Sequence, residues 1–290
     1  MSAPLGLLRL MRPHQWIKNG FVLTGLVFSR DWTNLPLVQS VLLATLGFSL
    51  LSSSVYVAND IADMESDRAH PKKRSRPLAA GLVSVPVAIV EALVLLGVAL
   101  AAGYAVAIEV VALMGIYALL NVGYTLGLKH IAILDVFIIA AGFMLRILVG
   151  TLGVGIEPSK WLLLCGLMVT LFLGFSKRHA ELAVVAAHGK TGRKVLDDYD
   201  SGLLDKLISI TAATTVITYG LYTVSPETIA THGTDALIYT VPFVLYGVIR
   251  YVFQMHRHSG GEDPARSLLT DPHLFFTVIG WLLAVVVILA

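Results

Sequence analysis

The sequence predicts an all-α fold: a polytopic membrane protein with nine transmembrane helices, forming a single integral-membrane domain over residues 1–290. Three observations predict it. Hydrophobic residues make up 56% of the chain and charged residues only 14%, where a water-soluble domain carries about 25% charged residues. The mean hydropathy is +0.79. Nine stretches approach the roughly 20 apolar residues that a helix needs to cross the hydrocarbon core. This composition excludes a soluble enzyme and a disordered chain. The single cysteine, Cys165, lies in an apolar run, which excludes a disulfide scaffold or a cysteine-rich metal site within one chain.

In chain order the apolar stretches cover roughly 16–30, 35–57, 84–107, 109–127, 131–151, 159–176, 203–223, 236–254 and 273–289. The first is the weakest, because Lys18 and Asn19 stand near its start. The third and fourth almost run together, so a tight turn is expected near Glu109. Arg9 and Arg12 precede the first stretch, but no small-residue cleavage pattern follows, and a cleaved signal peptide is not expected. The longest polar stretches are 58–82, 177–202 and 255–272.

The cations set the expected orientation. The N-terminal segment and alternate loops hold 18 of the 21 Lys and Arg residues. They are Arg9, Arg12 and Lys18, then Arg68, Lys72, Lys73, Arg74 and Arg76, then Lys129. The rest are Lys177, Arg178, Lys190, Arg193, Lys194 and Lys206, followed by Arg250, Arg257 and Arg266. Arg30 and Lys160 fall on the other side, and Arg146 is left inside the fifth span. An excess of cations marks the cytoplasmic face. The N-terminus and all three long polar stretches are therefore expected in the cytoplasm, and the C-terminus outside.

The first polar stretch carries the clearest chemistry. If the second span continues as a helix, Asn59, Asp63 and Asp67 are spaced i, i+4, i+8 and share one face, with Asp60 at its edge. Carboxylates gathered there repel unless a cation joins them. Magnesium prefers oxygen ligands and often links one or two carboxylates to substrate phosphates. The four residues are therefore candidate catalytic and metal ligands. The alternative is a solvated acidic helix end, which is expensive at the end of a membrane span. Five cations follow: Arg68, Lys72, Lys73, Arg74 and Arg76. Pro71 and Pro77 limit helix between them, and Gly81 allows a turn. Acids for a metal and cations for phosphate oxygens are what a diphosphate ester needs, since Arg suits bidentate phosphate contacts. The competing reading is a basic anchor on anionic lipid headgroups.

Further polar residues extend the candidate set. Lys177 and Arg178 lie three or four residues before Glu181, so that either can share a helix face with it. Asp197, Asp198 and Asp200 can serve as a second carboxylate set or as a helix cap. Arg146 is deep in a span, where a charge usually faces the bundle interior. Asp135 is about three turns away along the same helix, so the partners of both must come from other spans. Tyr124 and Lys129 flank one corner. His256-x-His258 is a close pair with no third ligand nearby in sequence, and a metal site there is not expected.

The pattern Asn59-Asp60-x-x-Asp63-x-x-x-Asp67 after a second span resembles the first aspartate-rich motif of the UbiA superfamily. The resemblance covers essentially the whole chain. It implies a UbiA-like bundle, a Mg2+-dependent diphosphate site and a multi-pass protein of the bacterial inner membrane with a cytoplasmic active site. Typical members carry a second Asp-x-x-x-Asp motif where this chain reads Lys177-Arg178-His179-Ala180-Glu181-Leu182. Together with Arg12-Pro13-His14-Gln15-Trp16-Ile17-Lys18-Asn19 and His70-Pro71-Lys72-Lys73-Arg74-Ser75-Arg76-Pro77, that departure resembles the phosphoribosyltransferase branch, which acts on decaprenyl phosphate. The resemblance then implies transfer of 5-phosphoribose from phosphoribosyl diphosphate to a polyprenyl phosphate, with release of pyrophosphate, and a role in cell wall biosynthesis. Three anionic groups would meet at one membrane surface. Lys18, Lys73, Arg74, Arg76, Lys129, Lys177 and Arg178, with Tyr124, Arg146 and Glu181, are the candidate substrate-binding residues. The implied partners are both substrates and the bilayer. No nucleic acid is expected, and a homo-oligomer is compatible with the sequence. The alternative is an aromatic prenyltransferase using a polyprenyl diphosphate. A transporter would show paired inverted repeats and charges at mid-bilayer; no repeat is seen, and the charges cluster on one face.

Overall fold

A computed structural model describes residues 3–69, 73–188, 194–257 and 270–290. Among them the secondary structure is helical, with no strand. His70, Pro71, Lys72, Lys190, Arg193, His258 and Arg266 lie outside the described residues. The chain divides into two compact units, Met1–Lys129 with Leu145–Glu157, and His130–Met144 with Pro158–Ala290.

The first unit begins with α1 (Ala3–Leu10), a 3-10 segment (Pro13–Leu23) and α2 (Thr24–Ser29). It continues with α3 (Leu35–Ala62), α4 (Met64–Ala69), α5 (Val85–Val106) and α6 (Ile108–Leu126). The C-terminal part of α7 (Leu134–Val149) completes it. Asn34 caps α3, its side chain accepting from the Leu37 N–H at 3.3 Å, and Pro36 follows in the first turn. The α5–α6 break is a single extended residue, Ala107, at φ −167°. The turn expected near Glu109 falls two residues before it, and Glu109 sits in the first turn of α6, where its charge complements the helix dipole. Phe48, Leu51, Val110, Met114, Tyr117 and Val149 form one buried core. Leu10, Val57, Leu78 and Ala88 belong to another.

Eight helices among the described residues are long and apolar enough to cross a membrane. The first expected span, 16–30, is not one of them: most of it is wound as 3-10 helix. That winding rises about 2.0 Å per residue, against about 1.5 Å in an α-helix. From Pro13 to Ser29 the two short helices therefore reach ~30 Å along their axes. Close packing and hydrogen bonds secure this segment. Trp16 Nε1 donates to Ser53 Oγ at 2.9 Å, and Asn19 Nδ2 donates to Ser49 Oγ at 2.9 Å. A Cβ on Gly150 would stand 1.7 Å from the Val22 carbonyl oxygen, and one on Gly25 2.2 Å from the Gly150 oxygen. Only glycine at both positions lets these backbones touch.

The second unit holds the N-terminal part of α7, α8 (Lys160–His188), α9 (Ser201–Val224), α10 (Pro226–His232), α11 (Val241–Arg257) and α12 (Pro272–Leu289). Val136, Phe172, Phe175, Ile208, Tyr251 and Met255 fill its core. Asp200 caps α9, accepting from the Leu203 N–H at 2.8 Å, which makes it a cap in this structure. Asp197 and Asp198 are exposed. Asp271 caps α12 through the Leu274 N–H at 2.8 Å. Hydrogen bonds from Arg250 hold the Asp271 carboxyl below the usual carboxylate range. Leu93, Leu119, Phe276 and Val287 are exposed on the flanks of the spans. Such large apolar side chains are at ease against hydrocarbon.

Gly150→Ala should displace the 3-10 segment and cost about 1–3 kcal/mol, the usual range for overpacking. Its melting temperature in detergent should fall clearly below that of wild type. Gly220→Ala, where an added Cβ meets nothing within 4 Å, should not lower it.

Candidate active site

The acid ladder forms at the end of α3. The helix stops at Ala62 and Asp63 is its C-cap. The Asp63 N–H still donates to the Asn59 carbonyl at 2.9 Å, and the Asp67 N–H to the Asp63 carbonyl at 2.9 Å. The four-residue register thus carries across the break into α4. Asn59, Asp63 and Asp67 keep the spacing that the sequence suggests.

Each acid is met by a cation or a donor. Asp60 is 3% exposed and accepts from Arg12 and from Arg76 Nη1, the latter at 3.0 Å. The same Arg76 nitrogen donates to Asp67 Oδ2 at 2.6 Å, so that one guanidinium bridges both buried carboxylates. Lys73 Nζ stands 3.9 Å from the other Asp67 oxygen. Asp63 is the accessible member, with its side chain 39% exposed, and takes Lys129 Nζ at 3.2 Å. Asn59 Oδ1 accepts from Thr125 Oγ1 at 2.7 Å. The structure therefore brings together Asn59, Asp60, Asp63, Asp67, Lys73, Arg76 and Lys129. It adds Arg12, known from its motif but not expected at the acids, and Thr125, which no motif marks. Lys18 and Tyr124 are half-buried, and Arg74 is exposed.

Arg146 occupies a separate buried place in the first unit. Its Nε donates to Asn19 Oδ1 at 2.8 Å, and one Nη approaches Ser52 Oγ at 3.4 Å and the Tyr117 hydroxyl at 3.3 Å. The guanidinium carbon lies 4.9 Å from the Phe48 ring centre and 5.0 Å from that of Tyr117. Neutral hydrogen bonds and aromatic faces therefore hold this cation.

In the second unit Arg178 is fully buried. Its Nε pairs with Asp135 Oδ2 at 2.6 Å, and an Nη pairs with Glu181. Tyr199 donates to Asp135 Oδ1 at 2.8 Å and accepts from the Ile133 N–H at 2.6 Å. Burial, with Asp135 beside it, pushes the Tyr199 phenol above its ordinary pKa. Lys177 is half-buried. The sequence placed Arg178 and Glu181 on one helix face, and they do pair. It did not show that Asp135 and Tyr199 complete the set.

The donor set of the first unit suits a hard divalent ion. Asn59, Asp60, Asp63 and Asp67 supply oxygen only, and one carboxylate is accessible. They do not form a closed protein cage among the described residues. Magnesium needs none, since it usually takes one or two carboxylates and fills its shell with water and substrate phosphate.

Long apolar helices and a cation-lined acid cluster define an integral-membrane transferase. Residues 20–280 match the model of the UbiA prenyltransferase family, and the chain belongs to that family. It is 33% identical over 97% of its length to the decaprenyl-phosphate phosphoribosyltransferase of Corynebacterium glutamicum, covering 86% of that protein. The enzyme of that name from Mycolicibacterium smegmatis is also 33% identical, with 96% of this chain and 90% of that protein covered. The fold matches a UbiA homologue from Archaeoglobus fulgidus bound to GPP and Mg2+. The TM-score is 0.71 at 18% identity, over 97% of this chain and 99% of that one.

Two substitutions probe the buried cations. Asp135→Asn leaves Arg178 buried with one carboxylate fewer and should destabilise the fold by about 3 kcal/mol or more. Arg146→Lys keeps the charge but loses the planar fork. It should melt below wild type and no higher than Arg146→Met.

Proposed function

We propose that this chain transfers 5-phosphoribose from phosphoribosyl diphosphate to decaprenyl phosphate or a similar polyprenyl phosphate, releasing pyrophosphate on the cytoplasmic face. The observation that carries this reading is the near-full-length likeness to proteins named for that activity. The cation-rich setting of the acids supports it. Arg12, Lys73, Arg76 and Lys129 all reach the carboxylates. A donor with a diphosphate and a separate 5-phosphate, and an acceptor that is itself a phosphate, need that excess of positive charge.

Asn59, Asp60, Asp63 and Asp67 would hold Mg2+, whose charge would stabilise the pyrophosphate leaving group. Arg76, Lys73 and Lys129 can hold either a carboxylate or a phosphate oxygen. We assign them, with Lys18, Arg74 and Tyr124, to binding the substrates, the cations at their phosphates. Lys177 is assigned to donor binding. Arg146, Arg178 and Glu181, already engaged inside the protein, are assigned to positioning the helices that carry substrate-binding residues. In the reaction the bond from ribose C1 to the diphosphate oxygen breaks, and one to an acceptor phosphate oxygen forms. The acceptor is already an anion at neutral pH, so no general base is required. Positioning and fixed charge would supply the catalysis.

Purified protein given labelled phosphoribosyl diphosphate and a polyprenyl phosphate should yield labelled lipid. No labelled lipid, with turnover of a prenyl diphosphate onto an aromatic acceptor instead, would show an ordinary prenyltransferase. Asp63→Asn and Asp67→Asn should each nearly abolish transfer while leaving the protein folded. Wild-type rates in either would remove the acid ladder from the site. Lys177→Ala should raise the KM for donor more than it lowers kcat, and an unchanged KM would count against that assignment.

A further inference from the structure

The end of α3 meets the end of α6 in matching register. Asn59 and Asp63 stand four residues apart on one side, and Thr125 and Lys129 four apart on the other. Thr125 Oγ1 donates to Asn59 Oδ1 at 2.7 Å, and Lys129 Nζ donates to Asp63 Oδ1 at 3.2 Å. Thr125 belongs to the last turn of α6, and Lys129 to the 3-10 turn that follows it (Leu128–His130). All four residues lie in the first unit. Lys129 brings charge to its acid. Thr125 brings none, so what it can supply is direction.

An asparagine amide needs such direction, because its last torsion is broad and lacks sharp staggered wells. A hydrogen bond to the amide oxygen removes that freedom. The donor is itself well held. Threonine is stiff at its first torsion, and the Thr125 hydroxyl shares its one proton with the Asn121 carbonyl oxygen, 2.9 Å away and one turn back. The neighbouring amide, Asn121, is turned onto its own helix, with Nδ2 donating to the Tyr117 carbonyl at 2.8 Å. Once Thr125 holds Asn59 Oδ1, the second lone pair of that oxygen and both N–H groups of Nδ2 have fixed directions.

We propose that Thr125 is a positioning residue, whose hydroxyl aims the Asn59 amide at the phosphoribosyl donor. The inference rests on the transfer reaction proposed above. The contact is not needed to join the helices. Phe48 of α3 and Tyr117 of α6 already pack with ring centres 4.8 Å apart, and a Cβ on Gly47 would stand 3.1 Å from Met114 Cε. Thr125 and Asn59 are both half-buried, where one neutral hydrogen bond adds little to stability. The value of the hydroxyl is therefore in what it does to Asn59. No sequence motif marks it, because the two residues are 66 apart along the chain.

The test uses the full chain in lipid nanodiscs, with labelled phosphoribosyl diphosphate and a polyprenyl phosphate. Thr125→Val puts a methyl group in place of the hydroxyl. It should lower kcat/KM by about 10–100-fold and melt close to wild type. Thr125→Ser keeps the hydroxyl and should recover most of the rate. Because Thr125 acts through Asn59, Thr125→Val should cost less than about 2-fold more in an Asn59→Ala background. The same cycle is read on phosphoribosyl diphosphate binding by calorimetry, which needs no turnover if Asn59→Ala is too slow to assay. Wild-type kcat/KM in Thr125→Val would overturn the proposal, and so would a Thr125→Ser rate no better than that of Thr125→Val. A full Thr125→Val loss in the Asn59→Ala background would overturn it as well. If wild type makes no labelled lipid, the proposed transfer fails separately, and the cycle is read on the prenyl diphosphate that turns over instead.

Discussion

A charge at membrane depth is tolerated only where protein meets it, and the helices of each unit are arranged around how this is done. In the first unit the Arg76 Nη1 atom ties Asp60 to Asp67. That bond fixes the chain after α4 against the end of α3, and Arg12 fixes the start of the 3-10 segment to the same Asp60. Removing either cation would leave a carboxylate with 3% exposure or less facing fewer partners. Asp60 would keep the other arginine and Asp67 would keep Lys73, so the loss is a weakening of buried pairs and not a fully uncompensated charge. Arg146 is met differently, by Asn19 and two aromatic rings. This contact explains why a polar side chain, Asn19, is buried in the 3-10 segment.

What the sequence revealed, and what it did not, follows from the range of each interaction. The helices 85–106, 108–126, 201–224 and 272–289 were legible because twenty apolar residues need no partner to declare themselves. The register of Asn59, Asp63 and Asp67 was legible because it is local. The break at Asp63 was not, since the backbone bonds that carry the register also disguise it. α10 was missed although its signals are all present. Ser225 accepts from the Thr228 N–H at 3.1 Å, Pro226 and Glu227 follow, and Gly233 closes it at φ 67°. These seven residues lie between the expected spans 203–223 and 236–254, where no element was expected. The 3-10 winding of Pro13–Leu23 had no local signal; the contact of Gly25 and Gly150, 125 residues apart, belongs to tertiary packing.

The candidate site divides in the same way. The chemistry of the acids was legible from residue type, but their pairing was not. Arg76 and Lys73, expected at phosphate oxygens, pair with the carboxylates in this structure. The two roles are compatible on electrostatic grounds. A cation that neutralises an acid before substrate arrives lowers the cost of burying that acid, and a divalent ion at the acid would weaken the hold on the cation. A carboxylate cluster in a membrane protein thus needs as many nearby cations to fold as to bind.

Lys177 and Arg178 show why neighbouring cations cannot be counted as equals. On a helix, successive side chains diverge by about 100°. Arg178 points inward and is engaged by Asp135 and Glu181 with no exposed surface. Lys177 must then point elsewhere, and it is half-buried. Where the resemblance implies a second pair of aspartates, this chain has an acid, Glu181, paired with Arg178 three residues earlier. An acid engaged in this way offers less charge to a second metal ion. Of the two cations, Lys177 is the one proposed to meet a substrate phosphate. A substrate with more phosphate groups than a prenyl diphosphate would require such a cation.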